Sequence, residues 1–251
     1  MPTMLGTMQG DALGVIQYLG PLMKHLIGEE MTKTLLDFFQ KLSGEGGEAW
    51  WMAFKRFLRK ENPWILLLDG GSQLERWSLI YKEVFGLEIN VTSIKIPAQR
   101  LGFECLLVIP KGLTLGQIVT VLRQKFDVSL YVEDLNQDVT VNYRVNTETY
   151  AIWIRDVVEA DEDNKNLSAN QLKKQGIEGV TLMERLLYEL IYFTETGKHL
   201  DVENWTLCSG SLNSGGGVPG VYWDADRRGL RVGWFDPDRR SDRLRARAVV
   251  S

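Results

Sequence analysis

The chain has 251 residues, of which 44% are hydrophobic and 25% are charged, and its formal net charge is −4. This composition is typical of a globular protein with a real core, and the charge is too small to indicate nucleic acid or a membrane surface as the partner of the whole molecule. The two cysteines, Cys105 and Cys208, stand far apart in the sequence. Their spacing suggests neither a disulfide framework nor a cysteine zinc site, and a reducing compartment is favoured.

Neither a secretory signal nor a membrane segment is predicted. The apolar stretch near the N-terminus has no basic residues before it and is interrupted by Asp11 and Gly14, unlike a signal peptide. No apolar run reaches the roughly 18 residues that a membrane helix needs. We therefore expect a cytoplasmic protein without membrane insertion.

Two regions precede the C-terminal part of the chain. Apolar residues at helical spacing from Gly14 to Arg59, with a break at LSGEGGE, predict an N-terminal helical region within residues 1–90, which also contains the apolar segment WILLLD. Residues 91–145 are typical of a small α/β unit. CLLVIP, SLYVED and VTVNYRV have strand character, and Thr114 with Gln117 has the spacing of a helical capping box.

Residues 146–251 form the best-defined region. ETYAIWIRD predicts a strand, and the acidic EADEDNKN that follows predicts an exposed loop. Thr181 and Glu184 make a capping box at the start of an amphipathic helix that ends near Gly197. WTLCSGS then predicts a strand that enters a Gly/Ser loop.

The segments that come nearest to catalytic or metal-binding motifs lack residues that those motifs require. EADEDNKN has Lys165 where a calcium loop needs an oxygen ligand, and SLNSGGG lacks the lysine of a phosphate-binding loop. The histidines are His25 and His199, and His199 beside Lys198 is better explained as a cation near a helix C-terminus. The residues therefore predict a non-enzymatic protein with no catalytic site, no metal and no cofactor.

The tail from Asn204 to Ser251 contains no Lys, Glu, Gln or Met, although the whole chain has 13 Lys and 18 Glu. Eight of the 16 arginines lie in it: Arg227, Arg228, Arg231, Arg239, Arg240, Arg243, Arg245 and Arg247. They could contact phosphates of a nucleic acid. Five aspartates are interleaved with them, namely Asp224, Asp226, Asp236, Asp238 and Asp242. A mixed-charge surface is therefore favoured, and a nucleic-acid-binding tail is kept as the alternative.

Two segments of the tail alternate in the manner of half-buried strands. In GVYWD, Val221 and Trp223 share one face. In LRVGWF, the corresponding face carries Leu230, Val232 and Trp234. The opposite face mixes Gly, Tyr, Asp, Arg and Phe, and an exposed aromatic residue beside arginine is typical of recognition surfaces.

The end of the chain resembles a known family. Pro237, six residues DRRSDR and then Leu244 have the spacing that closes the C-type-lectin-fold variable proteins of diversity-generating retroelements, and the preceding Ser209-Gly-Ser211 resembles their Gly-Ser loop. The family pattern is P-x6-L-G-F-R-L-V. This chain departs from it by having Arg245-Ala246 where the family usually has Gly-Phe.

The resemblance implies a ligand-binding surface diversified by a reverse transcriptase that miscopies adenines, so that AAC codons become NNC codons. NNC codons cannot specify Lys, Glu, Gln, Met or Trp, and four of these five types are absent from the tail. The variable, ligand-binding residues would be Asn213, Gly217, Gly220, Tyr222, Asp224, Asp226, Arg227, Arg228, Arg231, Gly233, Phe235, Asp236, Asp238, Arg239, Arg240, Ser241, Asp242 and Arg243. The constant scaffold would be Pro219, Val221, Trp223, Leu230, Val232, Trp234, Pro237 and Leu244.

The expected fold class is α+β. It consists of a C-terminal C-type lectin-like domain over residues 146–251, with a variable region at about 209–247, preceded by the small α/β unit and the N-terminal helical region. Formylglycine-generating enzymes look similar in fold, but their paired catalytic cysteines have no counterpart here, and Cys208 is interpreted as a buried strand residue. The expected partner is a protein or another macromolecular ligand.

Overall fold

A computed structural model describes residues 28–44, 47–59 and 70–251. The chain divides into two compact units, 1–67 and 68–251. The start of the helical pattern predicted from Gly14 lies outside the described residues, and so do residues 45–46 of the break at LSGEGGE. The segment WILLLD lies entirely outside them.

The first unit contains two helices, α1 (Glu29–Ser43) and α2 (Gly47–Leu58). They are separated at Gly44, inside the break that the sequence predicts. The rings of Phe38 on α1 and Phe54 on α2 lie 4.8 Å apart between centroids. Helical spacing therefore predicted this pair of helices correctly.

The second unit combines helices with short strands. Its helices are α3 (Gly70–Phe85), α4 (Leu115–Arg123), α5 (Leu135–Asp138), α6 (Ala169–Lys174) and α7 (Leu182–Thr196). Its strands are β1 (Cys105–Ile109), β2 (Asp127–Leu130), β3 (Val139–Asn142), β4 (Tyr150–Ile154), β5 (Trp205–Leu207), β6 (Ser211–Asn213), β7 (Val218–Asp224), β8 (Gly229–Phe235), β9 (Leu244–Arg245) and β10 (Val249–Val250). The unit is therefore mixed α and β.

Three sheets organise the second unit. Their strand orders are β1-β4-β10, β2-β8-β7-β5-β9 and β3-β6. Each of them joins one strand from before residue 145 to strands from after it: β1 pairs with β4, β2 with β8 and β3 with β6. The boundaries predicted at residues 90 and 145 therefore do not coincide with the division of the chain, because local hydrophobic patterns do not reveal which strands pair.

Helix α3 closes the outer edge of β1. The side chain of Gln73 bonds to the backbone of Glu104 and Leu106, the indole N–H of Trp77 donates to the Leu106 carbonyl at 2.7 Å, and the hydroxyl of Tyr81 donates to the Val108 carbonyl at 2.5 Å. One helix face thus supplies the hydrogen bonds that another strand would make. This contact places α3 in the second unit, whereas the sequence assigned it to the N-terminal helical region.

Helix α7 forms the centre of the core. Its capping box between Thr181 and Glu184 is present, and Gly197 ends it in the left-handed conformation, as the sequence predicts. The helix buries Leu186, Leu190 and neighbouring apolar residues in one large cluster that includes the inner faces of β7 and β8. Glu184, Arg185 and Glu189 on the same helix are also fully buried, so they require partners in the interior.

A charged network supplies some of those partners. The guanidinium groups of Arg185 and Arg247 both form ion pairs with the carboxylate of Asp201, at N–O distances of 2.8 Å and 2.7 Å. Arg185 also pairs with Glu189 at 3.0 Å, and the hydroxyl of Thr206 donates to Asp201. Burial alone would lower the pKa of Arg185, but the carboxylates of Asp201 and Glu189 outweigh it and raise that pKa. Arg185 therefore keeps its charge inside the core.

The acidic segment EADEDNKN is the exposed loop that the sequence predicts only in part, because Glu162, Asp163 and Lys165 are exposed but other residues of the segment are buried. Asp161 and Asn164 are only 4% and 3% exposed. Asp161 accepts hydrogen bonds from the N–H of Ala248 at 2.8 Å and from Arg155, while Asn164 donates to the Ala246 carbonyl at 3.2 Å. Burial raises the pKa of Asp161, against the effect of these donors. The polar side chains are buried because they satisfy the backbone of the C-terminal segment.

Within residues 28–44, 47–59 and 70–251, no helix combines the length and the apolar composition that are needed to cross a membrane.

Candidate functional site

Strands β7 and β8 form an antiparallel hairpin whose two faces differ, as their alternation predicts. Val221, Leu230 and Val232 point inward and are at most 1% exposed. Trp223 and Trp234 are half-buried against the same core. Pro219 is buried as well. The residues proposed as scaffold on these strands thus lie on the side of the sheet that packs against the rest of the unit.

His199 belongs to this inner packing. Its ring stacks on Trp223 with a centroid distance of 3.2 Å and on Phe193 at 4.8 Å. Its Nδ1 lies 2.9 Å from a carboxylate oxygen of Glu189. His199 lies just beyond the end of α7, where the sequence suggested a cation, and its ring also packs between two aromatic rings at the edge of the buried charged network.

The outer face of the five-stranded sheet remains partly uncovered. We call this area the open face and define it by Asp127, Ser129, Tyr131, Trp205, Gly220, Tyr222, Asp224, Gly229, Arg231, Gly233 and Phe235. Neighbouring strands place these residues side by side: Gly220 pairs with Gly233 and Tyr222 with Arg231 between β7 and β8. Ser129 on β2 pairs with Arg231.

Gly220 and Gly233 form the floor of the open face. A Cβ atom at Gly220 would overlap the Phe235 ring and lie 3.2 Å from Trp205, and a Cβ atom at Gly233 would lie 3.0 Å from the Tyr131 ring. Both glycines are buried. They were expected to contact ligand as variable positions, but aromatic side chains cover them. Their contribution is the absence of a side chain, which lets the rings lie close to the sheet.

Four aromatic side chains lie on that floor, and we call Tyr131, Trp205, Tyr222 and Phe235 the ring patch. Trp205 stacks on Tyr222 at 3.8 Å between centroids and meets Phe235 edge-on at 5.1 Å. Tyr131 is 72% exposed. The sequence-based residue set missed Trp205 and Tyr131. Nothing in a single sequence reveals that β5 and β2 flank the hairpin in the same sheet.

The other end of the open face is charged. Arg231 is only 14% exposed and lies 3.6 Å from Asp224 and 3.5 Å from Asp127, and it also donates to the hydroxyl of Ser129. The hydroxyl of Tyr222 donates to Asp224 at 3.2 Å. The backbone N–H of Arg227 holds the pKa of Asp224 below its usual value, and partial burial with the nearby Asp224 raises the pKa of Tyr222. Arg231 is therefore already neutralised within the protein.

Helix α6 covers the remaining part of the outer face. Leu172 from this helix packs with Leu207, Val218, Leu244 and Ala246 in a second, small core cluster. The backbone N–H of Asn170 donates to the carbonyl of Pro237, and its side chain donates to Asp238 at 2.8 Å. Leu244 and Pro237, proposed as scaffold, are thus held on the outer side of the sheet, beneath and beside α6.

Most of the remaining predicted ligand residues lie in two surface loops. Exposed positions in the β7–β8 turn and in the segment after β8 are Asp226, Arg227, Arg228, Asp236, Asp238, Arg239, Arg240, Asp242 and Arg243, and Ser241 is half-buried. Asn213 and Gly217 lie apart from these, in the β6–β7 turn, where the Asn213 side chain accepts the N–H groups of Gly215 and Gly217. Asn213 therefore shapes a turn.

Three of the eight tail arginines are not available to a polyanion. Arg247 is buried in the charged network, Arg231 is neutralised on the open face, and Arg245 is 12% exposed and pairs with Glu162 at 2.5 Å. This engagement weakens the nucleic-acid alternative, because the arginines that remain are interleaved with exposed aspartates.

A cleft of about 520 Å³ lies elsewhere, lined in part by Lys95, Arg144 and Tyr150. Its ionisable groups serve the fold: Glu184 accepts from Arg144 at 2.7 Å, from Tyr150 at 2.9 Å and from the N–H of Thr181 at 2.7 Å. Burial raises the pKa of the Tyr150 hydroxyl, and the negative charge of Glu184 raises it further. Among the described residues, no three His, Cys, Asp or Glu side chains come together as a metal site requires.

The chain was compared with protein-family models, with curated proteins and with solved structures, and none of the three comparisons found a match.

Proposed function

We propose that this chain is a non-enzymatic recognition protein whose open face and adjoining loops bind a protein ligand, and that a diversity-generating retroelement varies this surface by adenine mutagenesis. A C-type lectin-like fold for residues 146–251 is part of the same proposal. The mechanism is complementarity of shape and charge on a rigid sheet, with aromatic rings supplying contact area at a small entropic cost.

One observation carries the proposal, namely how residue types are distributed over the two faces of the hairpin. Outward positions of β7 and β8 and of the two exposed loops carry residue types that NNC codons can specify, such as Tyr222, Arg231 and Asp226. The tryptophans of the hairpin, which NNC codons cannot specify, are Trp223 and Trp234 on the inner face. A general compositional bias would not separate the residue types by face.

The decisive experiment is nucleotide sequencing of the gene and its flanks. We expect a near-copy of the segment that encodes residues 209–247, differing from it mainly where the copy has adenine, beside a reverse-transcriptase gene. The adenines should fall in the codons of outward residues, such as Tyr222, and spare those of Val221 and Val232. A flank without such a copy, or a copy whose differences ignore the two faces, would refute diversification.

Nucleic-acid binding is the second candidate, and the exposed arginines of the two loops, Arg227, Arg228, Arg239 and Arg243, are the observation in its favour. Binding of DNA through phosphates weakens steeply between low and moderate salt. Titration of a labelled duplex at two salt concentrations separates the candidates: tight, strongly salt-dependent binding supports nucleic acid, and its absence leaves the protein ligand.

A further inference from the structure

Two rings of the ring patch, Tyr131 and Trp205, lie outside the proposed variable region of about 209–247. Tyr131 follows β2, more than seventy residues before the hairpin, and Trp205 on β5 precedes the Gly/Ser loop. The closeness of these rings to Gly220 and Gly233 fixes them on the same surface as Tyr222 and Phe235. Any ligand that covers the hairpin's outer face therefore also meets Tyr131.

Tyr131 is the most accessible ring of the patch, with 72% of its surface exposed. One face of Tyr222 is occupied by Trp205, and Phe235 is half-buried between Trp205 and the cluster under α6. The Tyr131 side chain thus offers a free aromatic surface at the edge of a platform of rings. The face of a tyrosine ring attracts cations because its π electrons carry partial negative charge.

The surroundings of Tyr131 are acidic. Residues 126–142 contain Asp127, Glu133, Asp134 and Asp138 and no Lys, Arg or His. Glu133 and Asp134 are exposed, and 63% of the Asp127 side chain is accessible. Arg231, the one basic side chain of the open face, is 14% exposed and lies against two carboxylates. This edge of the open face therefore attracts positive charge.

We propose that the β2 edge of the open face binds a cationic side chain, arginine or lysine, of the protein partner, with Tyr131 as the ring on which the cation lies and Glu133, two residues further on, as the neighbouring carboxylate. The inference rests on the proposed function, because it assigns a constant subsite to the same surface. The variable residues would then select among partners that share this basic anchor.

The test uses the full chain labelled with nitrogen-15 and two blocked tripeptides, acetyl-Gly-Arg-Gly-amide and acetyl-Gly-citrulline-Gly-amide. Citrulline has the shape of arginine without its charge. Titrations followed by NMR should give a dissociation constant about two- to fivefold lower for the arginine peptide. The indole N–H signal of Trp205 should shift in the same titration.

Variants assign the effect to the site. Tyr131→Ala should abolish the preference for arginine, and Glu133→Gln should reduce it. The matched control is Tyr143→Ala, because Tyr143 follows β3, is 49% exposed and already has the Lys173 ammonium 5.8 Å from its ring. This control should keep the preference.

Equal binding of the two peptides, or a preference that survives Tyr131→Ala, would overturn the inference. A shift of the Trp205 signal by a neutral oligosaccharide such as maltotriose, without one by the arginine peptide, would overturn it in favour of a sugar ligand. The proposed function is judged separately by the repeat in the gene flank. A repeat found together with no arginine preference would leave diversification standing and remove only the cationic subsite.

Discussion

The guanidinium of Arg247 lies 2.7 Å from a carboxylate oxygen of Asp201, and both side chains are almost completely buried. Asp201 itself has a left-handed backbone with φ of 53°. Arg247 also donates to the carbonyls of Val157 and Val158 at 2.8 Å and 2.6 Å. One arginine of the tail thus fastens the C-terminal segment to the interior, where its charge is matched.

Arg247→Met should destabilise the protein by about 3 kcal/mol or more, because it removes one partner of a buried ion pair and leaves two carbonyls without a donor. Arg243→Met is the control, since Arg243 is exposed in the loop after β8, and it should change the free energy of unfolding by less than about 0.5 kcal/mol. Chemical denaturation measures both. Similar stabilities for the two variants would contradict a structural role for Arg247.

Gly220→Ala should cost about 1–3 kcal/mol, because the new methyl group would meet the rings of Phe235 and Trp205. Adding Phe235→Ala should recover part of that loss, since the overlap is mainly with this ring. Gly215→Ala is the matched control, because its Cβ would meet only the Asn213 side chain, at 3.6 Å. Thermal melts of the three variants would rank their stabilities. An unchanged melting temperature for Gly220→Ala would mean that the rings do not lie against Gly220.

Trp77→Phe should lower the free energy of unfolding by about 1–3 kcal/mol, because the Leu106 carbonyl loses its buried donor. Trp51→Phe, at a side chain that is 46% exposed in the first unit, should have little effect. Urea denaturation followed by circular dichroism distinguishes the two. A neutral Trp77→Phe would show that water replaces the indole at this edge.

Neither thiol should react quickly in the native protein. Cys105 and Cys208 are both buried, and burial raises the pKa of Cys208 well above that of a free thiol. A raised thiol pKa keeps the unreactive protonated form populated to higher pH, so alkaline buffer at pH 8 should not expose it. Ellman's reagent should report two thiols only after denaturation, and a rapidly reacting thiol in the native state would contradict this packing.

Features whose causes are local were predictable from the sequence. The capping boxes predicted at Thr114 and Thr181 both form, since each joins residues three positions apart. The two faces of β7 and β8 follow from simple alternation. The acidic segment around Asp161 was predicted only in part. Glu162 and Asp163 are exposed as its composition indicates, but Asp161 is buried because it accepts a hydrogen bond from Ala248, more than eighty residues further along the chain.

The site was only partly predictable for the same reason. Tyr222 and Phe235 belong to the hairpin and were found by alternation. Tyr131 reaches the surface through the parallel pairing of β2 with β8, in which Ser129 lies opposite Arg231. A pairing between strands about a hundred residues apart cannot be recognised from the local pattern of hydrophobic residues. Gly220 and Gly233 were also only partly predictable. Alternation placed them on the outer face but did not indicate that aromatic rings cover them.

The hydrogen bonds that α3 makes to β1 have a consequence for behaviour in concentrated solution. An unprotected strand edge offers N–H and C=O groups in register with any other extended chain, and is a route to intermolecular sheet growth. Here Gln73, Trp77 and Tyr81 occupy that edge with side chains, which cannot propagate a ladder. A shortened protein that began after α3 would expose the backbone of Leu106 and Val108, and its failure would be aggregation as well as lost stability.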